Sequence, residues 1–575
     1  MLKAGKQYLS SIELERRLGD PMAPNNPMSF KRTIAADERD EYPAKACAYL
    51  ERWGFSRFFV PVEFGGKLTS FEEAMSLIRV AARRDLTATI ALAKNLLGSL
   101  PVWIGGNDSQ KRRMAAVLLG GNQASLALTE KDHGSDILAS EVVAVKKGER
   151  YELSGQKWLI NNAKRCTLAV VFARARLEGA RETFSLFLFD KDRVAKSSYS
   201  YLPKVRTHGV RGLDLSGFRF RKCRLGQDDI IGSSGRGLEI LFKTFQVSRP
   251  AISGLSLGAV DTALWIAFDF SRSRRLYGKE IVQIPHVQNI LLDAFSDILM
   301  CECVAISGMR AVQAMPEQMN ILCSVVKYFV PTTLESTIRN LAVLLGARHF
   351  VREGDYFGIF QKILRDSAIA GLFDGSTIIN LDVIVHSLDK LARLETSAED
   401  HDRLGLAFCL YEDLPPFAPD SLKASNQGRN GVFHGLQRVL ALVGMTARQR
   451  SVDPLVRDQH LLLGARVLEE ARKLRDSVDN LLEADPGNPM SPELFELARR
   501  YCALHAASAC LHMWYYNEWD GFLGDGTWLV LCLNKILRNM SPHERFGLSP
   551  TLRSRSVHHL EACFRDKRPF SLLMV

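Results

Sequence analysis

The chain of 575 residues contains no CxxC pair, no repeat at a fixed period and no long apolar run. Its eleven cysteines are scattered, and the one tight pair, Cys301 and Cys303, lacks a second pair to complete a zinc site. No metal is expected, and the thiols are expected to be reduced and partly buried. Apolar runs such as "WLVLCL", from Trp528 to Leu533, are too short for a membrane span. The opening "MLKAGKQYLSSIELERRLGD" carries acidic residues early and no apolar segment of signal-peptide length. Neither a secretory nor a mitochondrial address is expected, and the cytoplasm is the expected location.

What is present is a globular composition, 46% hydrophobic and 24% charged, in a chain longer than one core usually organises. The formal net charge is +11. Basic segments such as "FRFRKCRL" and "SRSRRLYGK" lie in the first two-thirds, whereas the part beyond Leu394 is near neutral. That distribution suits a phosphorylated substrate or an acidic carrier protein and argues against a nucleic-acid partner.

Apolar residues recur at three and four between Ala35 and about Gly120, predicting amphipathic helices. Between about Ala124 and Gly232 short segments such as "ASLALT", "LAVVFARA" and "FSLFLFD" predict strands, with Gly134, Gly155 and Gly217 read as the turns between them. The helical period returns from Gly237, where Pro250 should begin or kink a helix. A boundary is expected near "ETSAEDHDRLG", then a linker, "YEDLPPFAPDSLKASNQGRNG", then helices from about Val432 to Leu560. The predicted fold class is α+β. It comprises an N-terminal helical domain (1–123), a central small β-barrel domain (124–235), a helical bundle (236–395) and an extra C-terminal helical domain (396–575).

Four segments carry candidate chemistry. In "ALTEKDHGSD" a strand gives way to a loop whose amides and Thr129 and Ser135 hydroxyls can bond a heteroaromatic ring or its phosphates; the alternative is a polar turn capped by Ser135 and Asp136. In "GQKWLINNAKRCTLAVVFAR" a strand places Leu159 and Asn161 against the same ligand. In "SRSRRLYGKEI" Arg274 can meet a pyrophosphate, or simply complement a helix C-terminus. In "LRDSAIAGLFDGSTIINL" an acidic residue, Asp374, precedes a Gly-Ser pair.

Together, in this order, these segments resemble the acyl-CoA dehydrogenase family of flavoproteins, over about Ala35 to Leu394. The resemblance implies FAD as cofactor. Leu128, Thr129 and Ser135 inherit contacts to the flavin and the upper part of the substrate; Leu159 and Asn161 lie along the flavin, where the family usually has Trp and Thr. Arg274 and Tyr277 reach the FAD of a neighbouring subunit. A family Gln is replaced by Pro285, with Gln288 nearby as a substitute, and another by Val343, with Ala347 for the second Gly of its Gly-Gly pair. Arg249, in "VSRP", approaches the acyl thioester.

Asp374 stands where the family places its catalytic Glu, followed by Gly375, which allows close approach of substrate, and Ser376, whose hydroxyl serves the cofactor. The implied reaction is α,β-dehydrogenation of a fatty acyl thioester, on CoA or an acyl-carrier protein. Asp374 removes the α-proton, flavin N5 takes the β-hydride, and the backbone N–H of Asp374 meets the enolate oxygen. Asp shortens the arm by one methylene, although related flavoproteins that oxidise nitroalkanes use Asp as base. The C-terminal extension resembles that of very-long-chain acyl-CoA dehydrogenases, and the layout also looks like biosynthetic dehydrogenases of lipopeptide and polyketide acyl chains. An electron-acceptor flavoprotein and a homodimer are expected. The alternatives are a flavin oxidase or monooxygenase on the same fold, and a non-catalytic DNA-associated family member.

Overall fold

The structure, a computed structural model, describes residues 6–176, 182–393, 398–425, 428–484, 491–544 and 546–573. Helices come first: α1 (Leu9–Leu18), α2 (Phe30–Glu38), α3 (Ala44–Trp53), α4 (Phe71–Ala82), α5 (Leu86–Gly105) and α6 (Asp108–Leu119). Side-chain caps start the last three. Ser70 accepts from the Glu72 and Glu73 amides, Asp85 from Thr87, and Asn107 forms a reciprocal box with Gln110, satisfying amides that a helix start leaves orphaned. α5 is apolar nearly all round and mostly buried.

The strands follow as β1 (Gln123–Ala127), β2 (Val143–Lys147), β3 (Arg150–Asn161), β4 (Cys166–Arg176), β5 (Thr183–Asp190), β6 (Tyr199–Leu202), β7 (Leu215–Gly226) and β8 (Ile230–Ile231). They form one mixed sheet in the order β6-β7-β3-β2-β4-β5-β8, with β1 parallel to β4. The sheet curls on itself: Phe189 of β5 meets Tyr199 of β6 and Phe220 of β7 at centroid distances of 5.1 and 5.2 Å, although these strands lie far apart in the order. One interior cluster therefore serves strands from both ends, as a barrel-like closure requires.

Two glycines expected in turns sit inside strands instead. Gly155 (φ 124°) lies at a register irregularity of β3. At Gly217, inside β7, a Cβ would stand 2.0 Å from the Lys157 carbonyl oxygen. Both mark places where strand backbones bend or approach closely.

The bundle consists of α7 (Gly237–Ala251), α8 (Ser253–Ser273), a hairpin of β9 (Arg275–Leu276) and β10 (Lys279–Glu280), α9 (Pro285–Ala314), α10 (Met319–Leu345), α11 (Ile359–Ser367), α12 (Thr377–Val385) and α13 (Leu388–Leu391). Pro250 falls in the last turn of α7, and a new helix begins at Ser253. Buried charges fasten the helices: Arg79 of α4 donates to Asp261 of α8 at 2.8 Å and pairs with Glu302 of α9, while Arg83 shares Asp261.

The remaining helices are α14 (Ala398–Phe408), α15 (Gly431–His434), α16 (Leu436–Gln449), α17 (Pro454–Ala484), α18 (Pro492–Tyr516), α19 (Gly521–Gly524), α20 (Thr527–Met540) and α21 (Pro550–Arg565). All of "AEDHDRLG" is thus helical, while the residues just before it, 394–397, lie outside the described residues. The expected linker holds only a short 3-10 turn, Pro419–Ser421, among its described residues. α18 and α20 pack on α9, where Lys535 pairs with Asp297 at 2.6 Å. Arg310 of α9 donates to Glu72 and to the carbonyls of Leu406, Cys409 and Glu412, tying the linker to the bundle.

Two stretches, Leu86–Gly105 and Gly237–Ser273, are long and apolar enough to cross a membrane, contrary to the expectation from short runs. Their apolar windows are 72% and 89% buried within the protein, which makes them core helices here. All eleven cysteines are free thiols, and Cys409 alone among them is not fully buried.

Candidate functional site

Asp374 lies in the turn between α11 and α12, at φ 56°, with Gly375 at φ 91° after it. Its side chain is 9% exposed. Three contacts hold this loop. Arg249, in the last turn of α7, donates from Nε to the Asp374 carbonyl at 2.9 Å. A Cβ at Gly375 would come within 2.8 Å of the Arg249 guanidinium, so glycine is what lets the arginine lie against the turn. Asn380, fully buried in α12, donates to the Gly375 and Ser376 carbonyls at 3.2 and 2.8 Å. Ser376 is the residue before α12, and its side chain makes no capping bond.

The Arg-Asp pair of the same segment is a fastener. Asp366 is buried and accepts from the Val210 amide at 2.6 Å and from Lys362. Arg365 reaches Asp37 and the His208 carbonyl. Helix α11 is thereby tied to α2 and to the loop before β7.

Asp374 lines a cavity with Lys94, Ile90 and Leu97 of α5, Ile78 of α4, and Ile252 and Leu255 around the start of α8. Lys94 pairs with it, Nζ to Oδ1 at 3.3 Å, and its ammonium lies 3.8 Å from the centre of the Phe373 ring. Burial pushes the Lys94 ammonium below its usual range, and the charge of Asp374 draws it partly back. A second lysine, Lys327 of α10, is fully buried, donates to the Ala370 carbonyl and lies 5.0 Å from the same ring. Burial brings its ammonium down to about 7; Asp374 opposes that, while the like charges of Lys94 and Arg249 add to it.

A second cluster forms where β1 ends. Leu128 and Thr129 are half-buried, and the Trp158 amide of β3 donates to the Thr129 carbonyl at 2.8 Å. Lys157, fully buried, donates to the Leu128 carbonyl at 2.8 Å, to Glu130 at 2.7 Å and to Ser140 at 3.0 Å. Burial lowers its ammonium to about 8 against the pull of Glu130. Leu159, at φ 54°, and Asn161 follow on β3. Asn161 is the informative residue, because both its amide nitrogen and its amide oxygen are buried without a hydrogen-bond partner. Buried polar groups rarely stay unpaired, and an amide offering donor and acceptor together fits the polar edge of a flavin. Ser135 is on an exposed stretch of the loop.

The structure thus brings Asp374, Gly375 and Arg249 together in one group, and Leu128, Thr129, Leu159 and Asn161 in another. α5 touches both: the Asn162 side chain donates to the Ala91 carbonyl at 2.7 Å, and Asn95 accepts from the Ala124 amide at 3.0 Å, on either side of Lys94. Arg274 caps α8 at the base of the β9–β10 hairpin, Tyr277 sits at its tip, and Gln288 lies in the first turn of α9. Tyr277 is 96% exposed at the tip, with φ 52° followed by Gly278 at φ 77°, the left-handed pair that a two-residue hairpin turn needs. Sequence reasoning missed Lys94, Lys327, Asn380 and the Glu130–Lys157 pair. For Lys94 a signal existed, a lone lysine in the apolar run "TIALAKNLLGSL".

Comparison with known proteins places the chain. Residues 30–122, 125–223 and 235–388 match the N-terminal, middle and C-terminal domains of acyl-CoA dehydrogenase. A probable acyl-CoA dehydrogenase, FadE25 of Mycobacterium leprae, is 26% identical over 353 residues, covering 61% of this chain and 89% of its own length. Among solved structures, an acyl-CoA dehydrogenase complexed with FAD from Bacillus anthracis superposes with a TM-score of 0.69 at 18% identity, covering 98% of this chain and 95% of that one. The prolyl acyl carrier protein oxidase AnaB gives 0.60 at 19% identity, covering 66% of this chain and 97% of its own. Three consecutive domain matches make this chain a member of the FAD-dependent acyl-CoA dehydrogenase family of oxidoreductases.

Proposed function

We propose that the protein desaturates an acyl thioester between Cα and Cβ, with Asp374 as the base. The observation that carries this reading is the placement of Asp374: a nearly buried carboxylate on an apolar cavity, in a turn held by Arg249 and Asn380. When bound, FAD supplies the hydride acceptor. The rest is the work of this chain. The Asp374 carboxylate accepts the α-proton, and its backbone N–H donates to the thioester oxygen as charge develops there. Arg249 holds the turn through the Asp374 carbonyl, so that the carboxylate and the amide keep one geometry.

In this reading Leu128, Thr129, Ser135, Leu159, Asn161 and Ser376 hold the cofactor, and Ser135, Arg249 and Gly375 border the substrate. Arg274, Tyr277 and Gln288 contact the cofactor across a dimer interface. Support for such an interface comes from the exposed apolar residues at the hairpin and the end of α10, with Val343 73% and Phe350 83% exposed. Residues 1–123, 124–235 and 236–395 form the three catalytic domains and 396–575 the added one, in a cytoplasmic enzyme that passes electrons to a flavoprotein. The acyl group rides on CoA or on a carrier protein.

A second reading keeps the cofactor and makes the enzyme an oxidase. Asp374 in place of Glu is what favours it. Anaerobic bleaching of the visible flavin spectrum by a panel of acyl-CoA and acyl-carrier thioesters tests the first reading, with Asp374→Asn alongside. Bleaching lost in the variant supports it. A yellow protein that no thioester reduces overturns it, and prompt reoxidation of reduced flavin by O₂ marks the oxidase.

A further inference from the structure

The basic segment "FRFRKCRL" forms most of β7, away from the cavity. Arg219, Arg221, Lys222 and Arg224 are exposed, whereas Phe218, Phe220, Cys223 and Leu225 between them are buried. Two successive side chains, Arg221 and Lys222, reach the outer face because Lys222 adopts φ 49° where the pairing with β3 slips around Ser154. Such a bulge adds a side chain to one face of a sheet. The neighbouring strands extend the strip. Arg224 stands opposite Glu152 of β3, and two residues further along that face Arg150 of β3 stands directly opposite Lys147 of β2, both exposed.

Six cations therefore share a surface with two carboxylates, Glu152 and, in the turn between β2 and β3, Glu149. Glu152 meets Arg224 at 3.8 Å. Among the described residues Arg219, Arg221, Lys222, Arg150 and Lys147 have no acidic partner. Like charges directly opposite one another weaken a sheet, and exposed charges add little stability even when paired. The fold gains nothing from this arrangement, which points to an anionic partner outside the chain.

The shape of the strip narrows the choice. From Arg219 to Arg224 it runs roughly 17 Å along one strand, with donors that spread apart, whereas a lone phosphate is held by donors that converge. Among the described residues the outer face carries no large exposed apolar side chain; Tyr201 of β6 stands opposite the inward-facing Phe218. A membrane surface is usually gripped by an apolar anchor as well as by charge. An extended polar surface of positive sign fits an acidic protein. Arg219 pairs in register with Gln156, three residues before Leu159, so the strip begins about 10 Å along β3 from the residues assigned to the cofactor.

We propose that this face of β7, β3 and β2 docks an acidic acyl-carrier protein, which delivers the acyl group to the cavity on its phosphopantetheine arm. The proposal rests on the dehydrogenase reading for the fate of the acyl group, and it replaces the open choice of CoA or carrier by the carrier.

The test uses the full-length holoenzyme. Anaerobic flavin reduction is followed with a butyryl group on an acidic acyl-carrier protein of fatty-acid synthesis, on CoA and on pantetheine. The double variant Arg221→Glu, Lys222→Glu should lower the second-order rate with the carrier about tenfold to a hundredfold, the range of electrostatic steering, and flatten its dependence on salt. Its rate with the pantetheine thioester should equal that of the wild type. Arg221→Gln with Lys222→Gln should give a smaller loss of the same kind, and serves if the charge-reversed protein does not fold. An unchanged rate with the carrier overturns the proposal, as does a wild-type rate no higher with the carrier than with pantetheine. An equal loss with CoA would make the strip a phosphate site and overturns it too. So does a loss seen only in reoxidation by an electron-acceptor flavoprotein, or only in binding to phosphatidylserine vesicles. If no thioester reduces the flavin, the dehydrogenase reading falls by itself. Calorimetry of the loaded carrier then decides the docking face: weaker binding to the variant upholds it, and equal binding overturns it.

Discussion

The family-matched domains and the C-terminal helices differ in the polar groups they bury. In the former the groups are charged and paired: Arg79 and Arg83 with Asp261 and Glu302, Arg310 with Glu72, Lys362 with Asp85 and Asp366. In the latter, beside pairs such as Lys535 with Asp297 and Arg500 with Glu470, three are histidines kept neutral. Burial pushes His460 down to about 4, and His505 and His512 to about 3. His460 meets the Gly526 carbonyl at 2.9 Å, and His505 accepts from Asn430 at 3.0 Å. Paired charges are directional, and losing one partner strands the other. Neutral rings are held by packing and by single hydrogen bonds, but they must stay unprotonated.

Four experiments probe that contrast. Asp374→Asn takes the charge from the site and should slow bleaching by about 10²–10⁴-fold without moving the thermal unfolding of the C-terminal helices; near-wild-type rates would remove Asp374 from the mechanism. Arg310→Met strikes the pair that also ties the linker down, and urea unfolding should show a loss of about 3–5 kcal/mol. A negligible loss would mean that packing alone joins the two regions. Gly375→Ala forces a Cβ against Arg249 at a left-handed backbone position. It should cost about 10²-fold in rate through displacement of Asp374, with little change in melting temperature; a rate unchanged would show that the turn adapts.

The smallest effect concerns acid. The folded pKa values of His460, His505 and His512 lie below the unfolded value of about 6.5, so the unfolded chain binds the extra protons and stability rises with pH through that window. The contribution is complete above about pH 6.5 and is lost as pH falls toward the folded values, about 4 for His460 and about 3 for the other two. Thermal midpoints measured across this range should decline in acid, and His512→Phe should flatten the decline. A slope unaltered in the variant would locate the acid-sensitive groups elsewhere.

The motif segments and the helix-sheet-helix order were legible in the sequence because both are local. Periodicity shows which face of a helix is apolar, and the turn around Asp374 shows in four consecutive residues. Gly155 and Gly217 were misread because a glycine in a strand and a glycine in a turn look alike until a neighbouring backbone is known; at Gly217 that neighbour is Lys157, on β3. Lys94 was missed for a related reason. Its partner is 280 residues away, and no local pattern reports such a contact. The Arg365-Asp366 pair was seen as part of a signature, yet only the contacts with Asp37, Val210 and Lys362 show it to be a fastener of α11.

Helix α5 touches the strands through Ala91 and Asn95 and the Asp374 carboxylate through Lys94, within a single turn and a half. It acts as a common datum from which two positions are measured. If the domains drift against one another, a ligand resting on the strands and a carboxylate resting on the lysine are carried by the same rod. Their separation is preserved while their absolute positions are not. Tolerance to loose assembly elsewhere is therefore built into the site by referencing both halves to one rigid element.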